Sequence, residues 1–454
     1  SDTHGWYAFR YSDDGGARWS AQRYRIPIRV TDVDRGNPWR GEVCHFWGID
    51  KPKVADGHVY FAFTKLGKFF MQDGEGWVVE SPNLLTESDP DKLVFNLLPE
   101  GEKGIRNPKL GSVQEEHNLV PLPSGGLLCV FRLEGGTPAQ SYSRDGGRTW
   151  SLPEPMTYGP GKRPLKTPRA CPKLFVTSEG KYLFWYHNHG GRMWAGRNPA
   201  FLSGGVVKED GFVHWSEPEI VLFDPSPAIR ISYPDLIEQD GAFWITETPK
   251  SVARAHPLDR ALLDGLWNQE RPGAVCQNGL ILEKGDAGGA VSRPTLPREF
   301  GDFSHGGLTV ELWFSLETQA PGQALFSSQD KGGQGVRVVT SELDGAPTLA
   351  VELCDGGRVA VWHTDPGVLQ AGRRQHVAFI CDFSAGVVMA VADGVLCDGG
   401  ETRQYGWGRL PLDMGEVKGA AHATLGAQVT CLRLYNRPLR TSEAVGNFRA
   451  GAGN

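Results

Sequence analysis

The sequence predicts an all-β protein built from two domains. The chain has 454 residues, which is long for a single hydrophobic core. Its 59 glycines, 31 prolines and 14 tryptophans are typical of many short strands joined by turns. One turn pattern recurs along the first part of the chain, and a different strand pattern fills the rest. We therefore expect a repeated β architecture at residues 1–270 and a second β domain at residues 271–454.

The clearest repeated element is the octapeptide at residues 143–150, SRDGGRTW. Its serine and aspartate can hydrogen-bond backbone N–H groups inside a turn, its glycines permit positive φ, and its tryptophan can open the next strand and bury a large ring. A second copy lies at residues 12–19, with Arg in place of Thr, and a weaker copy at 210–215. Repeated turns predict the repeated blades of a β-propeller.

Four hairpins with glycine in the turn support this architecture. They are predicted at residues 54–63, 119–131, 174–185 and 236–245. Their spacing exceeds a simple blade repeat, so long loops connect them, and long loops on a rigid scaffold carry binding residues. Counting the repeats leaves one blade incomplete. We expect five or six blades, closed by strands from a later segment such as 273–285, or by chain that precedes residue 1.

Residues 271–454 follow a pattern of alternating strands that predicts two packed sheets. The segments ELWF at 311–314, HVAFI at 376–380, VADG at 391–394 and LYNRPL at 434–439 resemble strands of laminin-G and concanavalin-like domains. This resemblance covers about residues 300–450 and implies a jelly-roll sandwich. Such domains often bind glycans in relatives, and many serve only as packing partners.

Composition restricts the partners. The formal net charge of −6, without a run of like charges, argues against nucleic acid. No apolar run reaches membrane-spanning length, and residue 1 does not open a secretory signal. A secreted chain whose signal had been removed would look the same, so the location stays open. The eight cysteines have no CxxC spacing and lie mostly in apolar runs. That placement favours buried free thiols over disulfides or a metal site.

Aligning the hairpins brings ionisable residues to one end of the predicted propeller. The strand starts carry Glu115, Glu116, His117, Arg169 and Tyr233, and the strand ends carry Arg132, His187, His189 and Glu247. The segment 190–199 is expected to reach over this pocket. A pocket rich in arginine suits a substrate that bears a carboxylate, because guanidinium groups bind carboxylates in bidentate geometry.

Several of these motifs resemble those of sialidases. The octapeptide at 143–150 matches the sialidase Asp-box, S-x-D-x-G-x-T-W, at every defined position. The segment 116–132 before it resembles the sialidase segment with an acidic residue, a hairpin and an arginine. The stretch 232–241 resembles the one that bears the tyrosine nucleophile, and YRIP at 24–27 resembles the motif whose arginine binds the sialic acid carboxylate. The resemblance implies a sialidase-like β-propeller.

The resemblance also implies roles for individual residues. Tyr233 would attack the anomeric carbon and Glu116 would accept its proton. A nucleophile that is a neutral tyrosine, with a carboxylate as its base, avoids placing an anionic nucleophile against a substrate that bears a carboxylate. Asp34 or Asp32 would be the acid/base. Arg25, Arg132 and Arg197 are the candidates for a carboxylate-binding triad. The full predicted substrate-binding set is Arg25, Arg132, Arg169, Arg197, His117, His187, His189 and Glu247.

Three functions fit this sequence. The first is retaining hydrolysis of a terminal acidic or polar sugar, without a required cofactor; relatives of the C-terminal domain sometimes hold Ca²⁺, although no acidic cluster here demands it. The second is a polysaccharide lyase, with Tyr233 or a histidine removing the C5 proton of a uronate while Arg132 or Arg169 neutralises its carboxylate. The third is a non-catalytic glycan-binding propeller. Each implies an oligosaccharide or polysaccharide partner, and a glycan-active function favours a secreted or periplasmic location.

Overall fold

The computed structural model describes residues 7–68, 72–285, 290–411 and 413–452. Regular structure in these ranges is nearly all β-strand, which confirms the predicted all-β class. The α-helices are α1 (Asp32–Arg35), α2 (Arg260–Asn268) and α3 (Thr441–Ala450). Short 3₁₀ turns span Pro90–Lys92, Pro108–Leu110, Pro123–Gly125 and Phe303–His305.

The N-terminal part forms antiparallel sheets, which we number as blades 1 to 4 of a β-propeller, and one two-stranded sheet. The two-stranded sheet pairs β1 (Ala8–Phe9) with β2 (Tyr24–Arg25). Blade 1 holds β3 (Phe46–Trp47), β4 (Lys53–Ala55), β5 (His58–Lys68), β6 (Gln72–Ser81) and β7 (Asn96–Leu98). Blade 2 holds β8 (Glu115–Pro121), β9 (Leu127–Arg132), β10 (Ala139–Ser143) and β11 (Glu154–Pro155). Blade 3 holds β12 (Lys173–Val176), β13 (Tyr182–Tyr186), β14 (Ala200–Val207), β15 (Val213–Trp215) and β16 (Glu219–Leu222). Blade 4 holds β17 (Ser232–Gln239), β18 (Ala242–Thr248) and β19 (Arg254–Leu258).

All four predicted hairpins are present. The antiparallel pairs are β4 with β5, β8 with β9, β12 with β13 and β17 with β18. Asp56 and Gly57 have positive φ in the first turn, and Asp240 and Gly241 have it in the last, which is the conformation that tight hairpin turns require. Strand β8 packs against β5 of blade 1 and β12 of blade 3, so consecutive blades are in direct contact.

A buried ionic cluster joins the inner strands of the blades. The Asp50 carboxylate accepts the backbone N–H of Leu119 at 3.3 Å and a hydrogen bond from Lys173 Nζ at 3.2 Å, so it links blades 1, 2 and 3. Lys51, close to blade 1, forms an ion pair with Asp235 in β17 of blade 4. These contacts therefore link the four blades to one another.

The C-terminal part is a sandwich of two antiparallel sheets, as expected for a jelly roll. The first contains β20 (Leu280–Lys284), β21 (Gly307–Ser315), β26 (Arg374–Asp382), β27 (Val387–Ala392), β28 (Val395–Leu396), β29 (Gly408–Arg409) and β31 (Val429–Tyr435). The second contains β22 (Ala324–Ser327), β23 (Gly335–Leu343), β24 (Ala346–Cys354), β25 (Val359–His363) and β30 (Thr424–Leu425). Aliphatic and aromatic side chains from both sheets form one core between them.

The predicted closing segment 273–285 belongs to this sandwich. Its strand β20 pairs with β31, so the expectation that it closes the propeller is wrong. The reason is apolar packing, because Ile281 and Leu282 lie against the core of the sandwich. The expectation of five or six blades stays a prediction.

The Asp-box of blade 2 forms a hydrogen-bonded turn. Asp145 Oδ1 accepts the backbone N–H of Thr149 at 2.8 Å, and Ser143 Oγ accepts that of Gly147 at 2.8 Å. Trp150 donates its indole N–H to the Gly147 carbonyl at 2.9 Å and packs on the core between blades 1 and 2. Trp150 itself precedes β11, so the prediction that it opens the strand is wrong. Pro153 intervenes, and its ring nitrogen has no N–H to donate to a sheet.

The copy at residues 12–19 has the same local geometry. Asp14 Oδ1 accepts the backbone N–H of Arg18 at 2.8 Å, and Ser12 Oγ accepts that of Gly16 at 2.8 Å. Its tryptophan, Trp19, remains 60% exposed, so this turn forms without burying its ring. The turn therefore depends on local hydrogen bonds, whereas the aromatic packing depends on the surrounding blades.

The sandwich packs directly on blades 2 and 3. Side chains of both domains share a hydrophobic cluster, which includes Tyr158 and Tyr186 from the propeller and Ile380 and Met389 from the sandwich. Glu219 of blade 3 accepts the backbone N–H groups at the start of α3, from Thr441 at 2.8 Å and Ser442 at 2.7 Å. A carboxylate is favourable there because the first N–H groups of a helix lack partners within the helix.

All eight cysteines lie in the described part of the chain as free thiols, and Cys44, Cys276 and Cys354 are only half-buried, unlike the prediction of buried thiols. Cys129, Cys171, Cys381, Cys397 and Cys431 are buried. Among the described residues, no helix is long and apolar enough to cross a membrane.

Candidate active site

The site lies where the starts of β8 and β17 meet the end of β9. The hydroxyl of Tyr233 in β17 donates to Glu116 Oε1 in β8 at 3.3 Å. The indole N–H of Trp47 in β3 donates to the same oxygen, also at 3.3 Å. Three blades therefore place side chains around one carboxylate oxygen.

Glu116 and Tyr233 both lie in irregular backbone. The β8/β9 register shifts between Glu115 and Asn118, and the β17/β18 register shifts between Ser232 and Asp235. Glu116 has φ of 57° and Tyr233 has φ of 52°, the left-handed region that non-glycine residues rarely adopt. Bulges of this kind redirect side chains and are frequent beside active sites.

Two arginines neutralise the carboxylates at the base of the site. Arg132 Nη1 lies 2.7 Å from Glu116 Oε1, and Arg132 Nη2 lies 2.9 Å from Glu115 Oε1. Arg169 Nη2 contacts the same Glu115 oxygen at 3.0 Å. Glu115 and Glu116 each keep their other carboxylate oxygen buried without a hydrogen-bond partner among the described residues.

Burial and the charge of Glu116 raise the pKa of Tyr233, while Arg132 opposes that increase. Tyr233 is therefore a neutral phenol at neutral pH, with its hydrogen bond directed at a carboxylate. Burial, opposed by Arg132, also raises the pKa of Glu115. This arrangement can pass a proton from the phenol to the carboxylate when the phenol oxygen attacks an electrophile.

Arg197 extends the site from the segment that joins β13 to β14. Its guanidinium donates to Ser232 Oγ at 3.1 Å, to the Arg169 carbonyl at 3.1 Å and to the Trp194 carbonyl at 2.9 Å. Its Cζ lies 5.9 Å from the centre of the Tyr233 ring. The structure thus brings Tyr233, Glu116, Arg132, Arg169 and Arg197 into one connected group.

The three predicted histidines are buried in other contacts. His117 Nδ1 is 2.8 Å from Thr64 Oγ1, and its ring stacks on Phe131. His187 Nδ1 lies 3.2 Å from the Pro199 carbonyl. Burial lowers the pKa of His117 and of His187 to about 3. His189 stacks on the ring of Tyr405 in the sandwich, and burial lowers the pKa of His189 to about 4.

Asp34 and Asp32 have different environments in α1. Asp34 is buried, accepts the backbone N–H of Thr31 at 2.9 Å and lies 2.5 Å from Lys65 Nζ. That ion pair holds the start of α1 against β5. Asp32 is exposed and pairs with Arg35 at 2.6 Å.

The contacts of Arg25 and Glu247 involve other residues. Arg25 is exposed in the two-stranded sheet, where it pairs with Ala8. Glu247 is buried in β18, where it forms an ion pair with Arg254 and lies 3.3 Å from His256 Nε2.

The predicted set of site residues included neither Trp47 nor Lys250. Lys250 Nζ lies 4.4 Å from the centre of the Tyr233 ring. Lys250 lies two residues after the end of β18, in a charged stretch that also carries Glu247, Arg254 and His256, and this clustering is a signal that could have identified it. Trp47 belongs to a two-residue strand that carries no turn motif, so the sequence offers no comparable signal.

The described residues contain no cluster of three or more His, Cys, Asp or Glu side chains arranged to hold a metal ion.

Two protein families match this sequence. The BNR repeat-like domain family matches residues 1–245, which is more than half of the chain. The protein therefore belongs to the BNR repeat-like domain family. Residues 288–444 match the concanavalin A-like lectin/glucanases superfamily. No curated protein matches the sequence.

Solved structures similar to the chain include sialidases. The Trypanosoma rangeli sialidase in complex with sialic acid is 12% identical with a TM-score of 0.37, over 98% of this chain and 76% of its own. The intramolecular trans-sialidase from Ruminococcus gnavus, in complex with oseltamivir carboxylate, is 18% identical with a TM-score of 0.39. The match covers 56% of this chain and 50% of the trans-sialidase chain. The NanB sialidase from Streptococcus pneumoniae is 16% identical with a TM-score of 0.39. That match covers 56% of this chain and 36% of the NanB chain.

Proposed function

We propose that the protein is a retaining glycosidase that removes a terminal acidic sugar from a glycan, with Tyr233 as nucleophile and Glu116 as its base. The observation that carries this proposal is the contact between the Tyr233 hydroxyl and Glu116 Oε1 at 3.3 Å, beside Arg132 and Arg197. A phenol with a raised pKa reacts only when a base accepts its proton, and Glu116 is in position to do so.

The first step forms a covalent bond between the Tyr233 oxygen and the anomeric carbon. The phenol proton passes to Glu116 Oε1 as the glycosidic bond breaks, and the leaving oxygen takes a proton from an acid. Of the two aspartates in α1, Asp32 is the exposed one and is our candidate for this acid, because Asp34 is committed to Thr31 and Lys65.

The second step releases the sugar. Water attacks the anomeric carbon and gives a proton to the carboxylate of the acid, while the Tyr233 oxygen leaves and recovers its proton from Glu116. Two displacements at the same carbon retain its configuration. Arg197 favours this chemistry because its guanidinium has only neutral partners and can stabilise a substrate carboxylate throughout both steps.

Product analysis tests the proposal. The full chain is incubated with sialosides and with oligosaccharides that end in a uronic acid, while reducing ends and near-ultraviolet absorbance are followed together. We expect saturated sugar from the wild type, none from Tyr233→Phe, and normal yield from Tyr11→Phe, which changes an exposed tyrosine.

The other two functions correspond to different outcomes. An unsaturated product that absorbs in the near ultraviolet would identify a lyase, with Tyr233 as the remaining candidate base because His117 and His187 are buried in other contacts. Absence of any product, together with retained glycan binding, would identify a non-catalytic propeller.

A further inference from the structure

We infer that Lys250, together with Arg197, binds the acidic group of the substrate beside the Tyr233 ring. The identity of the ligand as an acidic sugar rests on the proposed function. The assignment of Lys250 itself rests on the geometry and the charge balance around Tyr233.

The geometry places both cations against the nucleophile. Lys250 Nζ is 4.4 Å from the centre of the Tyr233 ring, and Arg197 Cζ is 5.9 Å from it. Arg197 is buried, whereas the Lys250 side chain is exposed. Against the same ring, Lys250 is therefore the cation open to solvent and Arg197 the buried one.

The charges at the base of the site are already balanced. Arg132 is paired with Glu115 and Glu116, and Arg169 with Glu115. Those two arginines therefore offer little net charge to a ligand. An anion bound at the base would also face two carboxylates, which repel it.

Arg197 and Lys250 carry the excess positive charge. The acceptors of the Arg197 guanidinium are two carbonyls and one hydroxyl, all neutral. Within the described parts of the chain, no carboxylate lies within 4.0 Å of the cationic nitrogens of either residue. A largely buried cation with only neutral partners is unfavourable, and a bound anion relieves that cost.

The backbone holds Lys250 in this position. Its φ is 102°, outside the usual range for a residue with a side chain. The hydroxyl of Thr248 accepts the Lys250 N–H at 2.9 Å and donates to the Val252 carbonyl at 2.6 Å, which closes the turn. Strain held by a hydrogen-bonded turn is typical of a preorganised binding residue.

The electrostatic environment gives the binding a pH dependence. Burial first, and then the charge of Arg197, lower the pKa of Lys250; Arg230 and Arg132 act in the same direction, and Glu116 opposes them. A bound anion favours the charged amine. We therefore expect affinity for an acidic ligand to fall as the pH rises and Lys250, whose pKa is lowered, loses its charge. The Tyr233 phenol, whose pKa is raised, also titrates above neutral pH.

Calorimetry on the full chain tests this inference. The probes are N-acetylneuraminic acid and glucuronic acid, each compared with its methyl ester, which lacks the charge. Lys250→Met is expected to reduce affinity for the preferred acid at least about tenfold, because the variant loses a charge-assisted hydrogen bond to the acid. Lys250→Arg is expected to restore most of it, and affinity for the esters is expected to stay constant.

Lys208→Met is the matched control, because Lys208 pairs with Glu270 at 2.6 Å on the outer surface. Equal affinity of Lys250→Met and wild type for the acids overturns the inference, as does an equal loss for acid and ester. Lack of wild-type binding to any of the probes also overturns it. Lys250-dependent binding without turnover instead contradicts the proposed glycosidase alone, so the two failures are distinguishable.

Discussion

The hydroxyl of Tyr233 meets Oε1 of Glu116 at 3.3 Å across a sequence separation of 117 residues. Each residue starts an inner strand of its blade, and each has positive φ within a β-bulge. The same local irregularity on blades 2 and 4 therefore aims two side chains at one point. Arg132 and Trp47 reach the same oxygen and fix its position.

Removing either partner of this contact should slow turnover without abolishing binding. Tyr233→Phe deletes the proposed attacking oxygen, and Glu116→Gln deletes the proposed proton acceptor while keeping its shape. We expect kcat to fall by about 10²–10⁴-fold in Glu116→Gln, the usual contribution of a general base, with the ligand Kd changed less than about threefold. Steady-state kinetics and calorimetry measure the two effects. An unchanged kcat in Glu116→Gln would exclude it as the base.

The two Asp-boxes allow a matched test of the role of their tryptophans. Their turn hydrogen bonds have equal lengths, but Trp150 packs on the core of blades 1 and 2 whereas Trp19 is 60% exposed. Trp150→Ala should therefore lower the free energy of unfolding by about 2–4 kcal/mol, and Trp19→Ala by less than about 0.5 kcal/mol. Urea denaturation measures both. Similar losses in the two variants would show that the turn, rather than the buried ring, stabilises the blade.

The hairpins and Asp-boxes were predictable because their signals are local. Turn geometry follows from glycine and aspartate at fixed spacing, and β9, β13 and β18 follow from the apolar runs after the hairpin turns. The pocket was predictable only in part. The bulge at Glu116 is not visible in the sequence, and it determines which neighbouring side chains lie with Glu116 in the site. His117, the next residue, lies against Thr64 and Phe131 and is not part of the site.

Contacts between distant segments account for the remaining differences. Asp34 was predicted as an acid/base candidate, yet Lys65 lies 2.5 Å away on the next long strand, a pairing that no sequence spacing indicates. The pairing of β20 with β31 likewise depends on the apolar core of a whole domain. Non-local burial, rather than turn chemistry, decided these positions.

Glu75 should give the fold a pH-dependent stability. Burial raises the pKa of its carboxyl from an ordinary 4.5 to about 7, with Arg106 and Lys65 only partly opposing the effect. The folded state therefore holds the proton more tightly than the unfolded state. This contribution to stability is complete below pH 4.5, is lost as the pH rises through about 7, and stays lost above that.

Glu75→Gln should remove this dependence. The variant is expected to gain stability relative to wild type between pH 4.5 and 8, by at most about 3 kcal/mol, because a pKa unit corresponds to about 1.4 kcal/mol. Urea denaturation at several pH values gives the difference curve. A difference that stays constant across this range would contradict the raised pKa.

The sandwich braces the segment that carries Arg197, and Trp407 is the residue through which this can be tested. Its indole N–H donates to the Asn188 carbonyl at 3.0 Å. Beside it, Tyr405 stacks on His189 with ring centres 4.5 Å apart, and His189 Nε2 lies 2.8 Å from the carbonyl of Gly196, the residue before Arg197. A chain of contacts thus runs from the C-terminal domain to a cation of the pocket.

Trp407→Phe should loosen that segment while keeping an aromatic ring in place. We expect a loss of about 1–2 kcal/mol in stability, because the Asn188 carbonyl loses its donor, and a rise of several-fold in KM for acidic substrates with a smaller change in kcat. Faster hydrogen exchange at residues 188–198 would report the loosening directly. Trp313→Phe is the control, since Trp313 stacks on Phe448 within the sandwich and should affect stability alone. If both variants shift KM equally, or if exchange at 188–198 stays unchanged in Trp407→Phe, the sandwich does not position Arg197.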